Sequence, residues 1–546
     1  MSDATIPGPS RAWHRLKALG FASPLYRLTL GSRAPERLVA MPADPWPGDE
    51  ARGNAMFQGR FRFAGREAQA PNQPPWRLRP GDAAWTRALH GFEWLGDFAA
   101  VEAGAAGQHA RRLVRSWIEL CGEWEPEYWE PELLARRLVA WTGHAGFLLD
   151  GADEPFRHQF LASLDRQLRH LGRAAGGVAS GRPSVTVALA LVSGGLALPD
   201  GGAKAERGMR LLQRELASGV APDGGHPSRS PSLQMAVLRD FVRFRECLLA
   251  ASREVPNELQ NAIDRMAPML RAFCHGDGGL ALFNGGFEEE AEAVAATLDR
   301  SGAEGRALNN APHSGFQRLV AGRSIVVMDT GSQVSAALAP GAHAGAQSFE
   351  FSRGRHRVVV NCGSGQGRDP EWHAAMRVSA AHSTLIVDDT NNAELPAPGR
   401  AGRSPAGQVE RNEDEAGNIW VESTHDGYRQ DFGLRHRRRL YLDASGEDLR
   451  GEDRLLAELA EARERPFNIR FHLHPAIQAS LVQAGAQALL RLPSGEGWRF
   501  RASGGEVGLE ESVYLGRRDE LRRTEQIVVR TDAEGATTVK WAFRKV

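Results

Sequence analysis

The stretch GAHAGAQSFEFSRGRHRVVVNCGSG, Gly341 to Gly365, decides how this chain is read. Gln347, Phe349 and Phe351 alternate with Ser348, Glu350 and Ser352, the two-residue period of a strand with one apolar face. SRGR supplies a turn and VVV returns as a buried strand, so the segment is a β-hairpin. Polar groups mark its ends, with His343 at the mouth and Asn361 where the second strand exits. Past GSGQGRDPEWHAAMRVSA, the run AHSTLIVDD places His382 at the start of a third strand. If these strands are neighbours, His343, Asn361 and His382 converge at one sheet edge. Two imidazoles and an oxygen form a zinc-type donor set, although neutral Asn is a poorer ligand than Asp. A hydrogen-bonded His/Asn network is the alternative.

Outward from the hairpin, short alternating runs fill the C-terminal half. NIWVEST, RLYLD, IRFHLHP, QALLRL, GWRFRA, EESVYLG, EQIVVRT and TTVKWAF read as strands of a two-sheet antiparallel sandwich. Before about residue 310 the period is helical. Phe156, Phe160, Leu161, Leu164, Leu168 and Leu171 share one face, as do Leu259, Ile263, Met266, Leu270 and Phe273. Further helices are expected at 109–121, 132–149, 204–218 and 231–251, separated by Gly- and Pro-rich breaks. The first 80 or so residues form an irregular arm with one hairpin at MFQGRFRFAG. The fold class is therefore α+β and multidomain: an arm over 1–80, an antiparallel helical array over 81–310 and a β-sandwich over 311–546.

The 546 residues exceed one compact core. Net charge is zero, from 67 basic and 67 acidic side chains, which argues against a whole-protein grip on nucleic acid or membrane. Four dispersed cysteines without CxxC spacing read as reduced thiols. No run approaches a membrane span, and the N-terminal stretch lacks a signal-peptide core, so a cytoplasmic location is expected.

The pattern HAxAxSFEF, VVVNxG and AHSTLIVD resembles the C-terminal domain of the heparinase II/III family, as does THDGYRQDFGLRHRRRLYLD…GEDLRGEDRL…RFHLHP. PDGGHPSRSPSLQ is similar to a loop of that family's helical domain. The resemblance implies an (α/α) toroid followed by an antiparallel β-sandwich, and β-elimination on a uronate-containing or other acidic glycan. It also implies a zinc site at His343, Asn361 and His382, and suggests a periplasmic or envelope location as an alternative. Such elimination needs a group that neutralises the substrate carboxylate, a base for the C5 proton and an acid for the departing O4. The family's Asn-His pair matches GRPSVTVALAL here, where Arg182 and Pro183 stand instead, and Leu233 occupies the catalytic tyrosine position. Only five tyrosines occur: Tyr26, Tyr128, Tyr428, Tyr441 and Tyr514.

The remaining candidates are local. His226 and Arg229 lie on a loop before a helix N-terminus, where an anion is favoured. With His343 and His382 they form the expected catalytic set, Arg229 neutralising a carboxylate through its planar fork. Arg182, Trp372, His373 and Tyr428 are expected to contact substrate, Tyr428 competing with a role under a turn. The run Arg435 to Asp443 reads as a solvated basic face, and His472 and His474 as structural. The other reading is a glycan-binding or envelope-associated protein that kept the fold and lost the chemistry. An acid-sugar hydrolase would need two cleft carboxylates, for which only Glu350 and Asp223 come forward.

Overall fold

A computed structural model describes residues 20–21, 23–31, 34–71, 73–80, 83–102, 104–331, 341–395, 402–403, 405–457, 465–483, 485–518, 520–531 and 537–546. It divides into two compact units, Met1–Gly219 with Val237–Ile263, and Val220–Ala236 with Asp264–Val546. The helices after residue 264 thus group with the sheets, whereas the sequence pattern changes only near residue 310.

The first unit is helical. Glu154–Ala174 begins where the Asp153 carboxylate accepts the Phe156 N–H, and it buries Phe156, Phe160, Leu164, Leu168 and Leu171 completely. The helix expected over 132–149 breaks at His144 into Pro131–Gly143 and Ala145–Leu149. Arg182–Ala197 is buried nearly all round, so its sequence has no amphipathic period to betray it. Trp85, Trp117 and Trp141 are fully buried, and the Arg137 guanidinium lies 4.1 Å from the Trp117 ring centre. Arg137 is itself fully buried and donates to Gln167 and to the carbonyls of His90 and Tyr128. The expected N-terminal hairpin forms between Arg60–Phe63 and Arg66–Gln69, turning through left-handed Ala64 and Gly65.

The second unit holds two antiparallel sheets. One has eight strands, ordered Gln478–Val482, Gln487–Arg491, Gly497–Ser503, Thr538–Lys545, Asp448–Ala457, Leu434–Leu442, Ile419–His425 and Gly407–Glu413. The other runs from Glu506–Tyr514 through Arg522–Arg530, Phe467–Leu473, His356–Val360, Phe349–Arg353, Ser324–Asp329 and Phe316–Ala321 to Asn310–Ala311. Leu385–Val387 pairs with Phe467–Leu473 beside this path. The hairpin that opened the reading is Phe349–Arg353 with His356–Val360, irregular between Phe351 and Ser352. Phe349, Phe351, Phe471, Phe500, Trp541 and Phe543 pack in the core formed by the two sheets.

The basic run corrects one expectation. Arg435, Arg437 and Arg439 point outward, but His436 and Arg438 alternate inward and are fully buried. They converge on Asp453. His436 Nε2 lies 2.7 Å from one carboxylate oxygen, Arg438 makes a two-pronged pair, and Trp541 donates to the second oxygen at 2.8 Å. Arg438 also donates to the carbonyls of Gln347 and Ser383, tying the hairpin to the neighbouring sheet.

Candidate functional site

Arg229 and His343 both meet one loop of the second unit. Asn284 stands in LALFNGG in the left-handed region, at φ 45°, where Asn is tolerated better than most residues. Its amide donates to the Arg229 carbonyl at 3.2 Å, and its oxygen accepts the His343 N–H at 3.2 Å. Asn284 is not among the residues that the sequence singles out. The usable signal was Asn-Gly-Gly, a turn that presents an amide side chain.

His343 and His382 form a dyad. His382 Nδ1 lies 2.8 Å from the Val378 carbonyl and must donate to it, so Nε2 is left as an acceptor. That nitrogen lies 3.1 Å from His343 Nδ1, which therefore carries the proton. The His343 Nε2 lone pair remains, close to Gly285 and Ser364. The sequence explains the fit: a side-chain carbon at Gly345 would sit 2.7 Å from the His382 ring, so this position admits only glycine without a shift. Burial holds both rings neutral, His382 at about 4 and His343 well below the usual range, with the His382 charge adding to the effect on His343. Folding therefore depresses both values, and protons bind the unfolded chain first. The stability these rings contribute is fully present above about pH 6.5 and is lost as the pH falls toward 4. NMR of the ring carbons across that window should find His382 titrating near 4, and a midpoint near 6.5 would contradict the dyad.

Arg229 corrects the carboxylate-clamp expectation. Its side chain is 9% exposed and its guanidinium pairs with Asp329, donates to the Ser314 carbonyl at 2.9 Å and reaches the Gly315 carbonyl. The backbone at Arg229 is left-handed, φ 56°, and the guanidinium lies 4.9 Å from the Phe316 ring centre. It is a buried structural pair. Arg229 also lines a polar pocket of about 400 Å³ with Asn310, His313, Gln317, Thr330 and Arg411. His226 is 4% exposed; its Nδ1 accepts the Ser228 N–H and its own N–H donates to Gln234.

The Asn361 side chain meets main chain on both its amide and its oxygen. Its amide donates to the Leu282 carbonyl at 3.0 Å, and its oxygen accepts the Ser383 N–H at 3.0 Å. Its own N–H goes to Glu350, which also meets His275 Nε2 at 2.9 Å. Among the described residues no group of three His, Cys, Asp or Glu stands ready for a metal ion. The Asn361 oxygen accepts the Ser383 N–H and His382 Nε2 faces His343 Nδ1, so all three side chains take part in hydrogen bonds.

The other residues expected to contact substrate have neighbours within their own units. Arg182 is the first residue of its helix and donates to Asp240 at 3.2 Å, while Asp240 also receives Arg243. Tyr428 is fully buried, donates to the Leu385 carbonyl, and has its hydroxyl pKa pushed far up by burial. Trp372 packs with Cys362, Met376, Ala381 and Leu515. His373 lies on the same short helix, Pro370–Ala375. Glu350 is fully buried, and Asp223 accepts the N–H groups of His313 and Ser314. Neither is a cleft carboxylate for hydrolysis.

Comparison with known proteins follows this geometry. Residues 303–542 match the family model Heparinase II/III-like, C-terminal. A crystal structure of heparinase III superposes with TM-score 0.72 at 14% identity, covering 100% of this chain and 92% of that one. A heparan sulfate lyase HepC mutant from Pedobacter heparinus superposes with TM-score 0.64 at 16% identity, covering 95% and 87%. These likenesses establish the fold, toroid plus sandwich. The chain is also 33% identical over 549 residues to FtsZ-localized protein C of Caulobacter vibrioides, covering 96% of this chain and 93% of the relative. No helix among the described residues is long and apolar enough to cross a membrane.

Proposed function

The chain belongs to the heparinase II/III-like family, and from that premise we propose that it acts by binding, as a non-catalytic member working where FtsZ assembles. One observation carries the reading. The groups expected to neutralise the carboxylate and to protonate the departing oxygen are committed elsewhere: Arg229 to Asp329, Asn361 to two main-chain partners and Tyr428 to the Leu385 carbonyl. A guanidinium already neutralised by a buried carboxylate has no charge left for a uronate, and a buried phenol has no route to O4. The relative named for its FtsZ localisation, alike over nearly the whole length, supports the cellular setting. The Arg229 pocket has the size and polarity to take a sugar or a polar peptide segment without turning it over.

One observation favours the lyase reading instead. The oriented, neutral His343 with its free Nε2 lone pair has the form of a general base.

The test is co-sedimentation with FtsZ polymers from the same organism, using the purified full chain. The reading expects the chain to pellet with polymerised FtsZ and to stay in the supernatant when polymerisation is blocked. Retention in the supernatant under both conditions would overturn the assignment to FtsZ.

A further inference from the structure

We propose that the helix Gly202–Gly219 carries a docking groove for an acidic peptide segment, in the helical unit and separate from the site above. Arg207, Arg210 and Arg214 line a groove of about 700 Å³ together with Ala175, Gly176 and Leu211. Their spacing, i, i+3 and i+7, puts all three on one face of the helix. At about 1.5 Å of rise per residue they span roughly 10 Å, the length of about three residues of extended chain. Arg207 reaches over the turn at Gly176, where an added side-chain carbon would lie 3.8 Å from its terminal nitrogen.

Among the described residues these charges are little used internally. Arg210 has a loose pair with Glu206 at 3.9 Å, both side chains more than two-thirds exposed, and such a pair contributes little. Among the described residues, Arg207 and Arg214 have no carboxylate within ion-pairing reach. The one buried carboxylate of this helix, Glu215, is turned to Ser180 and the Gly181 N–H. Arg229 offers the contrast: a guanidinium that is structural in this protein has its acid beside it.

The lining selects the class of ligand. Guanidinium groups only donate, and Gln213 is the single lining side chain with an acceptor. A sugar needs acceptors for its hydroxyls and gains from an aromatic platform, and the lining residues include no ring. Carboxylates are acceptors only and take the Arg fork bidentately. Leu211, the one large apolar residue there, is recessed at 7% exposure, so nothing apolar projects to enter a lipid surface. A groove whose charged lining groups are all donors, spaced about a turn apart, fits a run of Asp or Glu.

The probe is a fluorescently labelled hexaglutamate peptide titrated with the full chain by anisotropy, at low and at physiological salt. The expected result is saturable, salt-sensitive binding that weakens about tenfold in Arg207→Gln/Arg210→Gln/Arg214→Gln. The conservative Arg207→Lys/Arg210→Lys/Arg214→Lys variant should keep part of it. These side chains are on the surface, and circular dichroism verifies that the helical fold is retained. Absence of binding, or equal binding by the glutamine variant, would overturn the proposal. Tighter arginine-dependent binding of a heparin oligosaccharide or of phosphatidylglycerol vesicles would overturn it as well.

Discussion

Asp453→Ala is expected to destabilise the sheet unit by about 3–5 kcal/mol, the largest effect of any single substitution considered. His436, Arg438 and Trp541 all direct hydrogen bonds at this one carboxylate, and His436, Arg438 and Asp453 are fully buried. Removing it leaves the Arg438 charge in the core without its partner. A buried ion pair need not be better than a hydrophobic replacement, but breaking one side of it is costly. Asp453→Asn keeps the volume and loses the charge, so it should still lose a large part of that stability. Burial alone would raise the Asp453 pKa; Arg438 and His436 outweigh it and hold the carboxyl well below its ordinary range. The folded value is depressed, so this stability is present above the unfolded pKa of about 4 and is lost as the pH falls below it. Urea unfolding followed by tryptophan fluorescence reads the effect, and a loss under about 1 kcal/mol would contradict the network's role.

Arg229→Ala comes next, at about 3 kcal/mol, because it strands the buried Asp329. Desolvation already lifts the Asp329 pKa above its usual value even with Arg229 beside it, and removing the arginine lifts it further. The sign is opposite to that of Asp453. A raised folded pKa means the folded chain holds the proton more tightly, so the variant should recover as the pH falls and be weakest at neutral pH. Arg229→Ala/Asp329→Asn should regain much of the loss, since no buried charge is then left unpaired. A reaction-specific role for Arg229 predicts otherwise: stability close to wild type and loss of turnover alone.

The fold was legible because its signals are periodic. Phe349 and Phe351 announce a strand, and Phe156 to Leu171 a helix, with no knowledge of their neighbours. The strands that escaped have reasons. Gly407–Glu413 is exposed almost throughout and has no apolar face, while Asp448–Ala457 buries Gly451 and Asp453 where apolar residues are usual. Arg182–Ala197 escaped for the converse reason, being apolar on every side.

The site was legible only in part. Local sequence suggests that His343, ahead of Phe349–Arg353, and His382, ahead of Leu385–Val387, converge, and their facing ring nitrogens lie 3.1 Å apart although those two strands are not neighbours. It could not tell that Arg229 faces Asp329, 100 residues away, or that Asn361 spends its amide on Leu282 and Ser383. Whether a polar side chain is available for chemistry depends on its partners, and those are set by tertiary contacts. Tyr428 shows the same limit. Its HDGY turn was readable, while its depth and its bond to Leu385 were not.

The most direct test of the central claim, a lyase scaffold whose eliminating groups are tied up, is ultraviolet absorbance of the C4=C5 unsaturated product. The purified chain is incubated with a panel of uronate polysaccharides and oligosaccharides, with and without zinc. The account predicts a flat trace throughout, the same as for His343→Ala. A rising absorbance that disappears in His343→Ala would contradict it and show the His343 lone pair at work as a base.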